Sequence, residues 1–96
     1  MGYTIVIQER AHLESIDAFV WYEEQMSGLG KAFFDEIEGT LLLIKEMPTR
    51  FPPGFKKYRE ARLDRFPFSL IFRIDNTRNQ IVILSVFHHK RNPGRK

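Results

Sequence analysis

Phe66-Pro67-Phe68-Ser69-Leu70-Ile71-Phe72-Arg73-Ile74, followed by Asp75-Asn76-Thr77-Arg78-Asn79 and Ile81-Val82-Ile83-Leu84-Ser85-Val86-Phe87, is the passage that decides the architecture. Phe66, Phe68, Leu70, Phe72 and Ile74 occupy every second position, the period of a strand with one buried face. The polar residues 75–79 tolerate left-handed backbone, so the two runs read as a β-hairpin. The second run is apolar on both faces, which predicts a central strand covered on each side.

Upstream, Leu29, Phe33, Ile37, Leu41 and Ile44 form a helical stripe, widened by Phe34 and Leu42, with Asp35, Glu36 and Glu38 turned to water. This second helix runs to about Glu46, where Pro48 stops it. Leu13, Ile16, Phe19 and Val20 recur at helical spacing from Ala11 to Met26 and define a first helix. Ser27-Gly28-Leu29-Gly30 supplies the stop and restart that an antiparallel helical hairpin needs. Tyr3, Ile5 and Ile7 alternate over residues 3–8 as a short opening strand. Residues 47–54, with three prolines, form a rigid loop before a strand over residues 58–63. The predicted fold is α+β, in the order β-α-α-β-β-β: a helical hairpin on a three-stranded antiparallel sheet, with the opening strand pairing beside a late one.

Ninety-six residues accommodate one domain, spanning 1–96. A core this thin makes stability sensitive to a partner. The absence of cysteine excludes disulfides, thiolate metal sites and a cysteine nucleophile. Three histidines without zinc-ligand spacing make no metal site, and Gly28-x-Gly30 follows a helix, so it is no dinucleotide loop. No metal or cofactor is expected. Residues 1–10 lack a signal-peptide core and no apolar run approaches the roughly 20 residues that span a bilayer, so a cytoplasmic protein without a membrane partner is the expectation.

The formal charge of +3 is segregated along the chain. Residues 1–46 carry nine acids against Arg10, Lys31 and Lys45, a net of −6, whereas residues 47–96 carry twelve Lys or Arg against Glu60, Asp64 and Asp75, a net of +9. The basic half suits nucleic acid or an acidic protein.

Several phrases resemble the RelE/ParE toxin superfamily, and its ParE-like, plasmid-stabilisation branch in particular. They are Ser27-Gly28-Leu29-Gly30 with Phe33-Phe34, Met47-Pro48 with Phe51-Pro52, Tyr58-Arg59-Glu60-Ala61-Arg62-Leu63, Arg65-Phe66-Pro67-Phe68, Ile71-Phe72-Arg73-Ile74, and Ile83-Leu84-Ser85-Val86 leading to His88, Arg91 and Pro93. Their order and spacing cover essentially the whole chain. The resemblance implies the toxin of a type II toxin–antitoxin system, held in a hetero-oligomer by a cognate antitoxin. For the ParE-like branch it implies inhibition of DNA gyrase by protein contact. For the RelE-like branch it implies cleavage of mRNA on the ribosome, and a non-toxic, antitoxin-binding regulatory module of the same fold is a third reading.

Lys56, Lys57, Arg59, Arg62, Arg65, Lys90 and Arg91 are the candidate contacts to a target or nucleic acid. A metal-independent nuclease needs cations on the phosphate, a base and an acid. Arg59, Arg73 and His88 are the first candidates, with Glu60 and His89 as lesser ones. Adjacent strand residues face opposite ways, so His88 and His89 do not share a site easily, and Arg59 is expected to face opposite to Arg62. The tail from His89 to Lys96 also lacks the tyrosine that RelE-like nucleases commonly carry there. Trp21 and Tyr22 are candidates for partner contact or core.

Overall fold

Each periodicity produces its element, in the order read from the sequence. The computed structural model describes residues 2–54 and 56–90. Strand β1 (Thr4–Ile7) leads into helix α1 (Glu9–Gln25), helix α2 (Leu29–Glu46) and one 3-10 turn (Pro48–Arg50), after which come β2 (Arg59–Arg62), β3 (Phe68–Asp75) and β4 (Gln80–His88). The sheet order is β1-β4-β3-β2, so β4 is central, as its two apolar faces require. β2, β3 and β4 are antiparallel neighbours, while β1 joins as a fourth strand parallel to β4, with Ile5 opposite Ile81. The sheet is therefore mixed. Phe66 is buried in a bend ahead of β3 rather than in the strand, because Pro67 has no N–H to give to a ladder.

The helical hairpin is locked by a carboxylate. Gly28, at a φ of 90°, starts α2 without a side-chain cap. Glu23 of α1 supplies what is missing, accepting from the Gly28 N–H at 2.8 Å and the Gly30 N–H at 2.9 Å. Those are orphan donors of the helix start, where negative charge is favoured. Gly30 has a second duty: a Cβ there would lie 2.8 Å from the Phe19 carbonyl oxygen, so only glycine lets the helices cross this closely.

Between helices and sheet lies an aromatic core. Phe33 is fully buried, with ring centroids 5.0 Å from Phe68, 5.2 Å from Phe66 and 5.3 Å from Tyr22. Such tilted and edge-on pairs add to the area they bury. Ala11 and Ala18 are the buried residues of α1, with Tyr22 packed against the core in the same row. Leu13, Ile16 and Val20 point the other way and are exposed. Helical spacing thus located α1 but not its buried side. On α2, Leu42 is exposed, and Glu36 is not turned to water: it is only 13% exposed and accepts from the backbone N–H groups of Asp64 and Arg65.

β4 holds one residue more than β3 between the Ile71–Ser85 and Phe72–Ile83 pairs, a bulge at Leu84. β1 pairs only with residues 80–83, so among the described residues this side of β4 has no strand partner beyond the bulge. Glu14 of α1 fills the gap, its Oε1 accepting from Ser85 Oγ and the Val86 N–H, each at 2.8 Å. A buried donor that would otherwise cost a lost hydrogen bond is satisfied from the helix.

Candidate functional site

Register decides which candidates share a face. Arg59 pairs with Phe72, and His88 with Phe68. Directly opposed residues lie on one side of a sheet, so both belong with the core aromatics on the helix side. Arg73, the next residue after Phe72, lies on the other side. The trio Arg59, Arg73 and His88 is therefore split across the sheet, and it does not compose one catalytic site.

Each half of the split trio has a local task. Arg59 Nη1 donates to the Phe51 carbonyl at 2.7 Å and ties the proline loop to β2. His88 stacks edge-on against Phe68 at 4.7 Å, and its Nδ1 accepts from the Lys90 N–H at 3.0 Å. Arg65 Nε lies 3.5 Å from Glu36 Oε1. Lys56, Lys57 and Lys90 are exposed, and Lys56 adopts a left-handed backbone at a φ of 59°. Arg91 lies outside the described residues.

The helix-free side of the sheet gathers a different set. Glu60 pairs with Ile71 and Arg62 with Ser69, while Ser69 pairs with Phe87 and Arg73 with Val82. Ser69 is fully buried, donating its hydroxyl proton to Glu60 Oε2 at 2.6 Å. That hydroxyl has one proton, so His89, with Nε2 at 2.7 Å, must donate to Ser69 Oγ. His89 also donates its backbone N–H to the Pro67 carbonyl at 3.0 Å. A carboxylate, a hydroxyl and an imidazole thus stand in line where β4 ends, with Arg62 opposite the serine and Arg73 four residues further along β3. The serine sits in the middle and its proton faces the carboxylate, the wrong order for a nucleophile activated by histidine. The sequence reading missed Ser69. Its signal was a small polar residue placed between Phe68 and Leu70 in an otherwise apolar strand.

The His89 imidazole titrates below its ordinary 6.5, chiefly because burial disfavours the charged ring, then because of the Arg62 charge, with Glu60 opposing. The neutral ring is thereby favoured, with Nε2–H donating to Ser69 and Nδ1 left as the acceptor nitrogen. The unfolded chain protonates this ring first on acidification, so the stability contributed is complete above about 6.5 and is lost as pH falls through the lower folded value. We expect His89→Gln to flatten the fall in melting temperature between about pH 6.5 and 5, relative to the unsubstituted chain. Thermal unfolding at stepped pH measures this, and identical slopes for the two chains would contradict it.

Arg73 is partly exposed, with Nη1 4.0 Å from Asp75 Oδ2. Its contact is weak, and the guanidinium remains suited to an external carboxylate or phosphate. Among the described residues, no three His, Asp or Glu side chains converge to hold a metal ion, and no helix is long and apolar enough to cross a membrane.

The model of the ParE toxin of the type II toxin–antitoxin system parDE matches residues 6–93. The chain belongs to the ParE toxin family. Its fold is similar to a chain of the chromosomal ParDE system of P. aeruginosa, at a TM-score of 0.76 and 19% identity over 90% of this chain and 95% of that one. It is also similar to a chain of the toxin–antitoxin complex RelBE2 from Mycobacterium tuberculosis, at a TM-score of 0.63 and 18% identity over 92% and 99%. Among curated proteins, none matches the sequence closely enough to count as a relative. The ParE-like reading of the motifs stands, and so does the α+β class, with β1 completing a mixed four-stranded sheet.

Proposed function

We propose that this ParE-family chain inhibits DNA gyrase by protein contact, through the helix-free side of its sheet, and that a cognate antitoxin neutralises it by covering that side. The observation that carries the reading is the partition of the basic residues. Arg59 is taken up by the Phe51 carbonyl on the helix side, whereas the exposed Arg62 and the half-buried Arg73 share the helix-free side with the half-buried Ile71 and Phe87. Arginine interleaved with aromatic and aliphatic residues is the composition of a protein-binding surface. Membership of the ParE family supports the toxin assignment, and the ParDE and RelBE2 neighbours, both from toxin–antitoxin systems, support the antitoxin partner.

A second reading, a ribosome-dependent mRNA endonuclease, is favoured by one specific arrangement. Glu60 and His89 are joined through Ser69, with Arg62 directly opposite that serine, an acid–base pair beside a cation suited to a phosphate.

Supercoiling of relaxed plasmid by purified gyrase, together with transcript integrity on translating ribosomes, separates the two. Gyrase inhibition with intact transcripts is expected, and Arg73→Glu should raise the inhibitory concentration about tenfold or more, the scale of an interface hot spot, while Leu42→Ala on the exposed face of α2 leaves it unchanged. Cut transcripts, protected by Glu60→Gln or His89→Gln, would replace the gyrase reading with the nuclease. Activity in neither assay would leave the non-toxic antitoxin-binding module.

A further inference from the structure

The outward face of α1 carries a feature that neither the core nor the sheet site uses. Leu13, Ile16 and Val20 are 53%, 37% and 47% exposed. They project directly away from Ala11, Ala18 and Tyr22, the residues that pack α1 onto the sheet. With Glu9 before and Glu24 after, the row runs at spacings of four, three, four and four residues. That is a narrow seam of the kind that seats a second helix, whereas an extended strand would need every second position. Trp21 stands 48% exposed on the flank of α1, between this seam and a groove of about 390 Å³ that runs between α1 and the sheet and is lined also by Asp17, Phe68, Val86 and His88.

Charge selects the occupant. Glu9, Asp17 and Glu24 flank the seam. The flanking cation Arg10 is paired with Glu14 at 3.2 Å. A second copy of this chain would set Glu9 against Glu24 if antiparallel, or each glutamate against its twin if parallel, and both arrangements are repulsive. An acidic segment is repelled likewise. We infer that the outward face of α1 is a docking surface for a basic amphipathic helix of a partner protein, its apolar row on Leu13, Ile16 and Val20 and its Lys or Arg side chains on Glu9, Asp17 and Glu24. A cation beside Trp21 also meets the indole face, an attraction that adds to the ion pair. The two sides of the molecule thereby take partners of opposite charge: the helical side a basic one, the sheet side an acidic one.

Trp21 is the one tryptophan of the chain, so its emission reports occupancy of this surface. The full chain is titrated with two synthetic helical peptides of about three heptads that share one apolar row, flanked in one by lysine and arginine and in the other by glutamate. The basic peptide is expected to shift the emission to the blue and to saturate. Its binding should weaken about tenfold on Ile16→Asp, as for an interface anchor, and should weaken again in high salt. Ile16 lies outside the core, so the variant keeps its fold, which far-ultraviolet dichroism checks. Equal binding of the acidic peptide, binding by neither, or no effect of Ile16→Asp would overturn the proposal. Self-association of the chain dispersed by Ile16→Asp, seen by sedimentation, would overturn it in favour of a second copy.

Discussion

Replacing Phe33 with alanine should lower the free energy of unfolding by about 3–5 kcal/mol, the range for deleting a buried aromatic side chain. Phe33 is the ring through which α2 reaches both the sheet and α1. Its centroid lies within 5.3 Å of those of Tyr22, Phe66 and Phe68, and none of its surface is exposed. Alanine would remove the shared partner of three rings carried on two separate segments, α1 and the start of β3, so the neighbours have little scope to collapse into the space. A small domain holds roughly 5–15 kcal/mol in total, and a loss of this size consumes a large part of it. Urea denaturation provides the measurement: the midpoint should fall while the slope is kept, the mark of a stability change within an unchanged fold. Leu42→Ala serves as comparison. Leu42 belongs to the same predicted stripe yet is exposed, and its removal should cost no more than about 0.5 kcal/mol. Similar losses at the two positions would mean that Phe33 is not the hub described.

Ser69→Ala is the second large effect, at about 0.5–3 kcal/mol, the range for removing one neutral hydrogen bond and one to a carboxylate. The partners it strands are half-buried. One hydroxyl joins Glu60 to His89, so its loss strands an acceptor on β2 and a donor just after β4. Unlike Phe33, this site leaves no sizeable cavity. Its cost is electrostatic and should depend on the partners: combined with Glu60→Gln, the two losses should fall short of additivity by about 0.5–3 kcal/mol, the coupling expected within one hydrogen-bonded network. Strict additivity in a double-mutant cycle would show that the chain of contacts carries no energy. Ser27→Ala, at an exposed turn position, should be close to neutral.

These two sites differ in how far they could be read in advance. Phe33 announced itself through helical spacing, because an apolar stripe every three to four residues has few other uses. Ser69 did not, because a serine in a strand is unremarkable until the pairing register sets it between Glu60 and His89. The arginines teach the same lesson. Sequence reasoning groups Arg59 and Arg73 as one catalytic pair, and the pairings Arg59–Phe72 and Arg73–Val82 sort them to opposite sides of the sheet. The expectation that Arg59 opposes Arg62 followed from strand period alone. Which of them would be taken up by a loop carbonyl did not.

Periodicity, turn chemistry and charge order are local properties, and from them came the element order, the hairpin of β3 and β4, the central place of β4, the helical hairpin and the basic C-terminal half. The left-handed Asn79 at a φ of 53° was readable in the same way, since asparagine tolerates that conformation. Decisions between equivalent faces needed the tertiary structure. Helical spacing defines a stripe on α1, but whether Leu13, Ile16 and Val20 or Ala11, Ala18 and Tyr22 meet the sheet depends on how closely α1 approaches β4, and small alanines permit the closer contact. Gly30 reads as part of a helix stop, while its clearance beneath the Phe19 carbonyl exists only once α1 and α2 cross. The parallel pairing of β1 with β4, the bulge at Leu84 closed by Glu14, and the Glu60–Ser69–His89 line all join residues far apart in the chain. Sequence alone carries the short-range order; the site belongs to long-range register, which no local pattern encodes.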